Sequence, residues 1–183
     1  GESDVEPWAD GPVPRRHAIR GLHGVTLRSV NVFVTASVLD TLGFELLDQE
    51  GDRVRYRAPG DRASVVDLLD RDDEFGREGA GSLHHVAVRV PETAHLYEWH
   101  DLFRERGYDV SRVKDRHFFH SLYVREPGGI LFELATEAPG LTVDGDRDAL
   151  GQSLFLPPWL EGDREMIEAQ LPSIELPPAP EAN

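Results

Sequence analysis

The chain has 183 residues, of which 39% are hydrophobic, and 34 acidic against 19 basic side chains give it a formal net charge of −15. Such a surface repels nucleic-acid phosphates and anionic lipids, so we expect neither as a partner. The sequence contains no cysteine, so any bound metal must be held by nitrogen and oxygen ligands.

No apolar run approaches the ~20 residues that a membrane-spanning helix needs, and the first residues are not the basic and apolar kind found in signal peptides. We therefore expect no membrane partner and a cytoplasmic location. The chain begins at Gly1 and its single methionine is Met166, which suggests a fragment or a processed chain.

In chain order, residues 1–18 contain three prolines and little apolar sequence, and we predict a linker there. Residues 19–80 then form a first unit of the pattern strand, helix and three strands, in which Gly43 follows the helix as its C-cap. The predicted strands cover residues 21–30, 44–47, 53–57 and 64–69, and the predicted helix covers 33–42.

Residues 81–137 repeat this order, and Gly107 takes the place of Gly43. The predicted helix, 93–106, carries Leu96, Trp99 and Phe103 along one face. Strands are predicted at 82–91, 108–113, 120–125 and 130–136. Since one such unit leaves a sheet face uncovered, we predict an α+β fold of two tandem βαβββ modules forming a curved mixed-sheet half-barrel with a cleft.

Residues 138–183 depart from the repeat. Most of 137–158 is predicted to be loop, followed by a short helix over 163–171 with Asp163 as its N-cap. The tail at 175–183 is rich in proline and acidic residues, and we predict that it is disordered.

The second unit opens with two adjacent histidines. Superposing the two units matches His84 with His23, but His85 with Gly24. Because side chains alternate along a strand, His84 should share the core face with Val88 and can be interpreted as a structural histidine. His85 lies on the other face and needs a different explanation.

Glu133 lies in the middle of an otherwise apolar strand, and its counterpart in the first unit is Asp67. A buried carboxylate without a partner costs several kcal/mol, so Glu133 requires a cation, an arginine or a proton. A histidine and a carboxylate on one sheet face are two thirds of the facial triad that holds non-haem Fe(II). The residues alone leave two interpretations open, a metal ligand and a buried Glu–Arg pair.

The duplicated unit, the motif HHVAVRV and the segment DRHFFHSLYVREPGGILFELAT resemble the vicinal oxygen chelate superfamily. Within it they resemble hydroquinone-type ring-cleaving dioxygenases, over nearly the whole chain. The resemblance implies that His85 and Glu133 are ligands of Fe(II) or Mn(II). It also implies that Tyr123 is an acid/base group or hydrogen-bond donor, and that Arg116 and His84 position the substrate or an oxygen intermediate.

The chain departs from the family in having two repeats where the family has four. The two match the C-terminal half, and Gly24 stands where a further histidine would be needed. We therefore expect the third protein ligand from a missing N-terminal half, and an isolated chain that is inactive. His117 and His120 lie nearby in sequence but match no family ligand. The expected ligands of the whole protein are a small dihydroxylated aromatic and O2.

Two other functions remain open. One is a glyoxalase-type isomerase or lyase whose site is completed across a homodimer, with His23 or Asp67 supplied by the partner chain. The other is a module that binds an aromatic molecule without catalysis. The exposed surface around an incomplete site would also favour the association of two copies of this chain.

Overall fold

A computed structural model describes residues 5–8, 11–60, 62–71 and 74–174 of the chain. The first module forms a four-stranded mixed sheet in the order β1-β4-β3-β2, in which β1 is parallel to β4 and the other neighbours are antiparallel. Its elements are β1 (Gly24–Arg28), α1 (Val32–Thr41), β2 (Glu45–Glu50), β3 (Arg53–Arg57) and β4 (Val65–Leu69).

The second module repeats this topology, with β5 parallel to β9 and β9 antiparallel to β8. Two short strands, β6 and β7, both pair with β8. The elements are β5 (Val86–Arg89), α2 (Thr93–Glu105), β6 (Asp109–Val110), β7 (Lys114–Asp115), β8 (His120–Arg125) and β9 (Leu131–Ala135). The predicted α+β fold of two tandem βαβββ modules is confirmed, and the sheets are open rather than closed into a barrel.

Local sequence explains both helices. The Asn31 side chain caps α1 by accepting a hydrogen bond from the Val34 amide at 3.2 Å. Gly43 and Gly107 follow the two helices with φ of +85° and +79°, a conformation that glycine adopts without strain. As predicted from the apolar stripe, Leu96 and Phe103 of α2 are fully buried.

The predicted strand over 108–113 is wrong in its length. The Ser111 hydroxyl accepts a hydrogen bond from the Tyr123 amide at 2.9 Å. In a regular strand pair this amide would donate to a backbone carbonyl of the partner strand. The pairing register with β8 shifts by one residue between Val110 and Lys114. A bulge therefore ends β6 at Val110, within the predicted strand, and pairing with β8 resumes only at β7, beyond the predicted end at residue 113.

The C-terminal helix is shorter than predicted and is capped differently. A 3-10 helix, Pro158–Asp163, leads directly into α3 (Arg164–Glu168), and Asp163 makes no side-chain capping bond. Because the chain already turns helically before Asp163, the first amides of α3 do not need that carboxylate. The predicted disordered tail, 175–183, lies outside the described residues. Within the described ranges, no helix is long and apolar enough to cross a membrane.

Both modules contribute to one core, and a buried polar junction also joins them. Glu126 accepts hydrogen bonds from the Thr35 hydroxyl and from the amides of Gly128 and Ile130, at 2.6 to 3.0 Å. The Ser29 hydroxyl lies 2.7 Å from the Thr35 hydroxyl oxygen and 3.3 Å from the Gly128 carbonyl oxygen, and its single proton can be donated to either. This network holds the start of α1 against the turn between β8 and β9.

Candidate functional site

Glu133 lies on β9 between two neighbouring strands, opposite Ala87 of β5 and Tyr123 of β8. Only 4% of the residue is exposed. His85 precedes Ala87 by two residues, and its Nε2 lies 2.8 Å from Glu133 Oε2. The other carboxylate oxygen, Oε1, is buried and has no hydrogen-bond partner among the described residues.

Tyr123 adjoins this pair. Its ring meets that of His85 edge to face, with the centroids 5.5 Å apart, and its hydroxyl accepts a hydrogen bond from Arg116 Nη2 at 3.2 Å. Burial, and after it the Glu133 carboxylate, raise the pKa of Tyr123 above its usual value, while Arg116 acts in the opposite direction. The group is therefore a phenol at neutral pH and can donate its proton in a hydrogen bond.

His84 does not pack in the core as the alternation pattern predicted. The strand begins only at Val86, so alternation does not reach back to the histidines, and His84 is exposed. Its Nδ1 lies 2.9 Å from Nδ1 of His85, with the two rings edge to face. One of the two nitrogens must carry the proton, so His84 helps to set the tautomer of His85.

The site brings together all five residues singled out in the sequence, namely His84, His85, Arg116, Tyr123 and Glu133. It does not bring in the other two nearby histidines. The His117 ring pairs instead with Asp144, and His120 lies on the opposite face of β8 from Tyr123. In the described ranges, no group of three or more His, Asp, Glu or Cys side chains is arranged to hold a metal ion.

A divalent metal nevertheless fits the two donors that are present. An imidazole nitrogen and a carboxylate are ligand types that Fe(II) and Mn(II) accept. The partnerless Oε1 of Glu133 is the kind of buried acceptor that requires a ligand, a water or an ion. The described part of this chain thus offers two donors of a suitable type, and a metal bound there would need further donors from other groups.

The sequence model of the Glyoxalase/Bleomycin resistance protein/Dioxygenase superfamily matches residues 39–134 of this chain, which is more than half of it. The chain belongs to this superfamily.

Its relatives include a Bacillus subtilis (strain 168) protein named "Putative ring-cleaving dioxygenase MhqO", 38% identical over 176 residues, which cover 96% of this chain and 56% of that one. The "Chlorohydroquinone/hydroquinone 1,2-dioxygenase" of Sphingobium indicum is 32% identical, with 91% of this chain and 53% of that protein covered. The chain thus spans about half the length of the curated relatives it matches.

Solved structures agree with the superfamily assignment. A crystal structure from Bacillus subtilis, described as a "putative dioxygenase", matches with a TM-score of 0.87 at 38% identity, covering 95% of this chain and 57% of that one. A glyoxylase/bleomycin resistance protein/dioxygenase domain from Frankia sp. EAN1pec, at 17% identity and a TM-score of 0.56, shares the fold.

In this member of the superfamily the first module carries an ion pair where the second carries the candidate site. Asp67 occupies the register position of Glu133, and Arg55 that of Tyr123. Arg55 donates two hydrogen bonds to Asp67, at 2.7 and 2.9 Å, and Arg53 adds a third at 2.7 Å. Arg55 foremost, and then Arg53, lower the pKa of Asp67 to about 2.

The buried pair of a carboxylate and arginine considered for Glu133 therefore occurs at Asp67 instead. Since Asp67 is held by two arginines, it is a poor candidate for a ligand lent to a partner chain. Gly24 has no room for a side chain either, because a Cβ there would lie 2.3 Å from the carbonyl oxygen of Val65. His23 is exposed just before β1.

One neighbour of the site was missed in the sequence. The Lys114 ammonium lies 5.3 Å from the centroid of the Tyr123 ring, and the Arg116 guanidinium lies 5.5 Å from it. The sequence did carry a signal for Lys114, because it lies two residues before Arg116, and residues two apart on an extended chain point to the same side.

A cavity of about 380 Å³ lies elsewhere, against Phe75 and Tyr108, and includes none of the site residues.

Proposed function

We propose that this chain is the C-terminal half of an extradiol-type ring-cleaving dioxygenase that acts on hydroquinone-like dihydroxylated aromatics. The observation that carries the proposal is Glu133, a buried carboxylate with one oxygen beside His85 Nε2 and the other without a partner. The names of the relatives support the reaction class, because they include a hydroquinone dioxygenase at 32% identity.

In this proposal His85 and Glu133 are two protein ligands of Fe(II) or Mn(II), and a segment outside this chain, the N-terminal half, supplies the third. When bound, such a metal acts as a Lewis acid and electron conduit between an aromatic diol and O2. His84 would hold the Nδ1 proton of His85 through the 2.9 Å contact, which leaves Nε2 with a lone pair for coordination.

Tyr123 and Arg116 would act on the substrate. The Tyr123 hydroxyl lies beside the Glu133–His85 pair and would donate a hydrogen bond to a substrate oxygen or pass it a proton. Arg116 holds that hydroxyl at 3.2 Å and so fixes the direction in which it points. Orienting a bound aromatic in this way contributes to catalysis independently of the metal.

Metal binding to the purified chain tests the ligand assignment. Free Mn(II) is measured by electron paramagnetic resonance during an anaerobic titration of wild type, His85→Ala, Glu133→Gln and His23→Ala. The last variant is the control, since it removes an exposed histidine outside the site. We expect weak binding toward one Mn(II) per chain, lost with His85→Ala or Glu133→Gln and kept with His23→Ala.

Equal binding by all four proteins would contradict the assignment. Half a metal per chain would instead favour a site shared across a homodimer. Oxygen uptake with hydroquinone then tests the reaction. We expect uptake from a longer protein that includes both halves and none from this chain alone loaded with Fe(II), so ring cleavage by this chain alone would refute the proposed division of the site.

A further inference from the structure

We propose that Lys114 and Arg116 form a subsite for the carboxylate of an aromatic acid, so that the site at Tyr123 binds a dihydroxybenzoate in preference to a neutral diol. The inference rests on the proposed function, because it names the substrate class of the same site. It goes further by assigning a role to Lys114 and a charge to the substrate.

The first support is placement. Lys114 lies on β7 opposite Ser121 of β8, and Tyr123 is the next residue of β8 on the same face. Arg116 follows Lys114 by two residues, and both cations lie over the Tyr123 ring at 5.3 and 5.5 Å from its centroid. Tyr123 in turn lies opposite Glu133. The two cations therefore border the same face as the candidate metal ligands.

The second support is charge. Lys114 is the only lysine in a chain with 34 acidic residues, yet among the described residues no ion pair involves Lys114 or Arg116. The adjacent carboxylate, Asp115, accepts the His117 amide at 2.7 Å instead. In this part of an acidic protein, two neighbouring cations are thus left available for an anion from outside.

The chemistry of the two groups favours a carboxylate. A guanidinium presents a planar pair of donors that matches the two oxygens of a carboxylate, and an ammonium adds a compact point charge beside it. A neutral diol would leave both cations without a counter-charge.

Ligand titrations of the metal-free full chain, with a chelator present, test the proposal. Binding is followed by amide shifts in nuclear magnetic resonance with three probes: benzoate, 2,5-dihydroxybenzoate and 1,4-dihydroxybenzene. We expect both carboxylates to bind about tenfold more tightly than the neutral diol, and added salt at about 0.5 M to reduce that difference.

Variants separate charge from packing. Lys114→Met and Arg116→Gln should each weaken carboxylate binding about fivefold, whereas Lys114→Arg should keep it within about twofold. Arg112→Gln, which removes an exposed cation from the segment between β6 and β7, is the control and should bind as wild type does. Equal affinity for charged and neutral probes, unchanged binding by Lys114→Met, or no carboxylate binding at all would each overturn the subsite.

The test is independent of the metal assignment. His85→Ala should abolish Mn(II) binding but leave benzoate affinity within about twofold, because benzoate binding is measured on the metal-free chain and relies on Lys114 and Arg116. Loss of the carboxylate preference with intact Mn(II) binding would refute only this inference. Loss of Mn(II) binding with an intact carboxylate preference would refute only the proposed function.

Discussion

Replacing Asp67 by asparagine should destabilise the chain in a pH-dependent way. Arg55 first, and Arg53 after it, lower the pKa of this buried carboxyl from 3.8 to about 2. A difference of that size corresponds to about 2 kcal/mol of stability when the carboxylate is ionised in both states. Because each arginine side chain is 40% exposed, solvent screening brings the expected loss to between about 1 and 2 kcal/mol.

The sign of the pH dependence follows from the lowered pKa of Asp67. Its stabilising contribution is complete above the unfolded-state pKa near 3.8 and is lost as the pH falls toward about 2. The loss caused by Asp67→Asn should therefore be largest at about pH 6 and fall to about half of that at about pH 3.

Urea unfolding followed by circular dichroism, at both pH values, measures this difference. Asp70→Asn is the control, since it removes an exposed carboxylate three residues further along and should change stability by less than about 0.5 kcal/mol. An equal loss at both pH values would show that packing, rather than charge, explains the effect. No loss at the higher pH would refute the conclusion that the ion pair stabilises the first module.

Two further substitutions test the backbone positions. Gly128→Ala places a Cβ 2.2 Å from the buried Ser29 hydroxyl, so thermal unfolding should show a loss of stability of about 1 to 3 kcal/mol. Gly145→Ala is the control: its Cβ would have no atom within 4 Å, and the loss should be less than about 1 kcal/mol. Gly24→His should likewise destabilise the chain, because its Cβ would lie 2.3 Å from the Val65 carbonyl, and a Mn(II) titration should show no added site. A stable Gly24→His chain with a second metal would contradict this.

The sequence predicted the repeat because both modules need the same pattern of strands and helix-ending glycines to form a sheet with one covered face. It also predicted that Glu133 requires a partner, since a carboxylate within an apolar strand is costly wherever the strand lies. Strand boundaries were less certain. The Ser111 hydroxyl replaces a backbone partner of β8, and a pattern of apolar residues does not show such a bond.

Only the tertiary structure decided which partner each carboxylate has. Glu133 and Asp67 occupy equivalent strand positions, yet one contacts His85 and the other two arginines, because the residues on neighbouring strands differ. Lys114 was likewise inconspicuous until pairing of β7 with β8 placed it over Tyr123. A sequence fixes which face a side chain takes along its own strand, whereas the register between strands, set by packing and turns, determines what it meets.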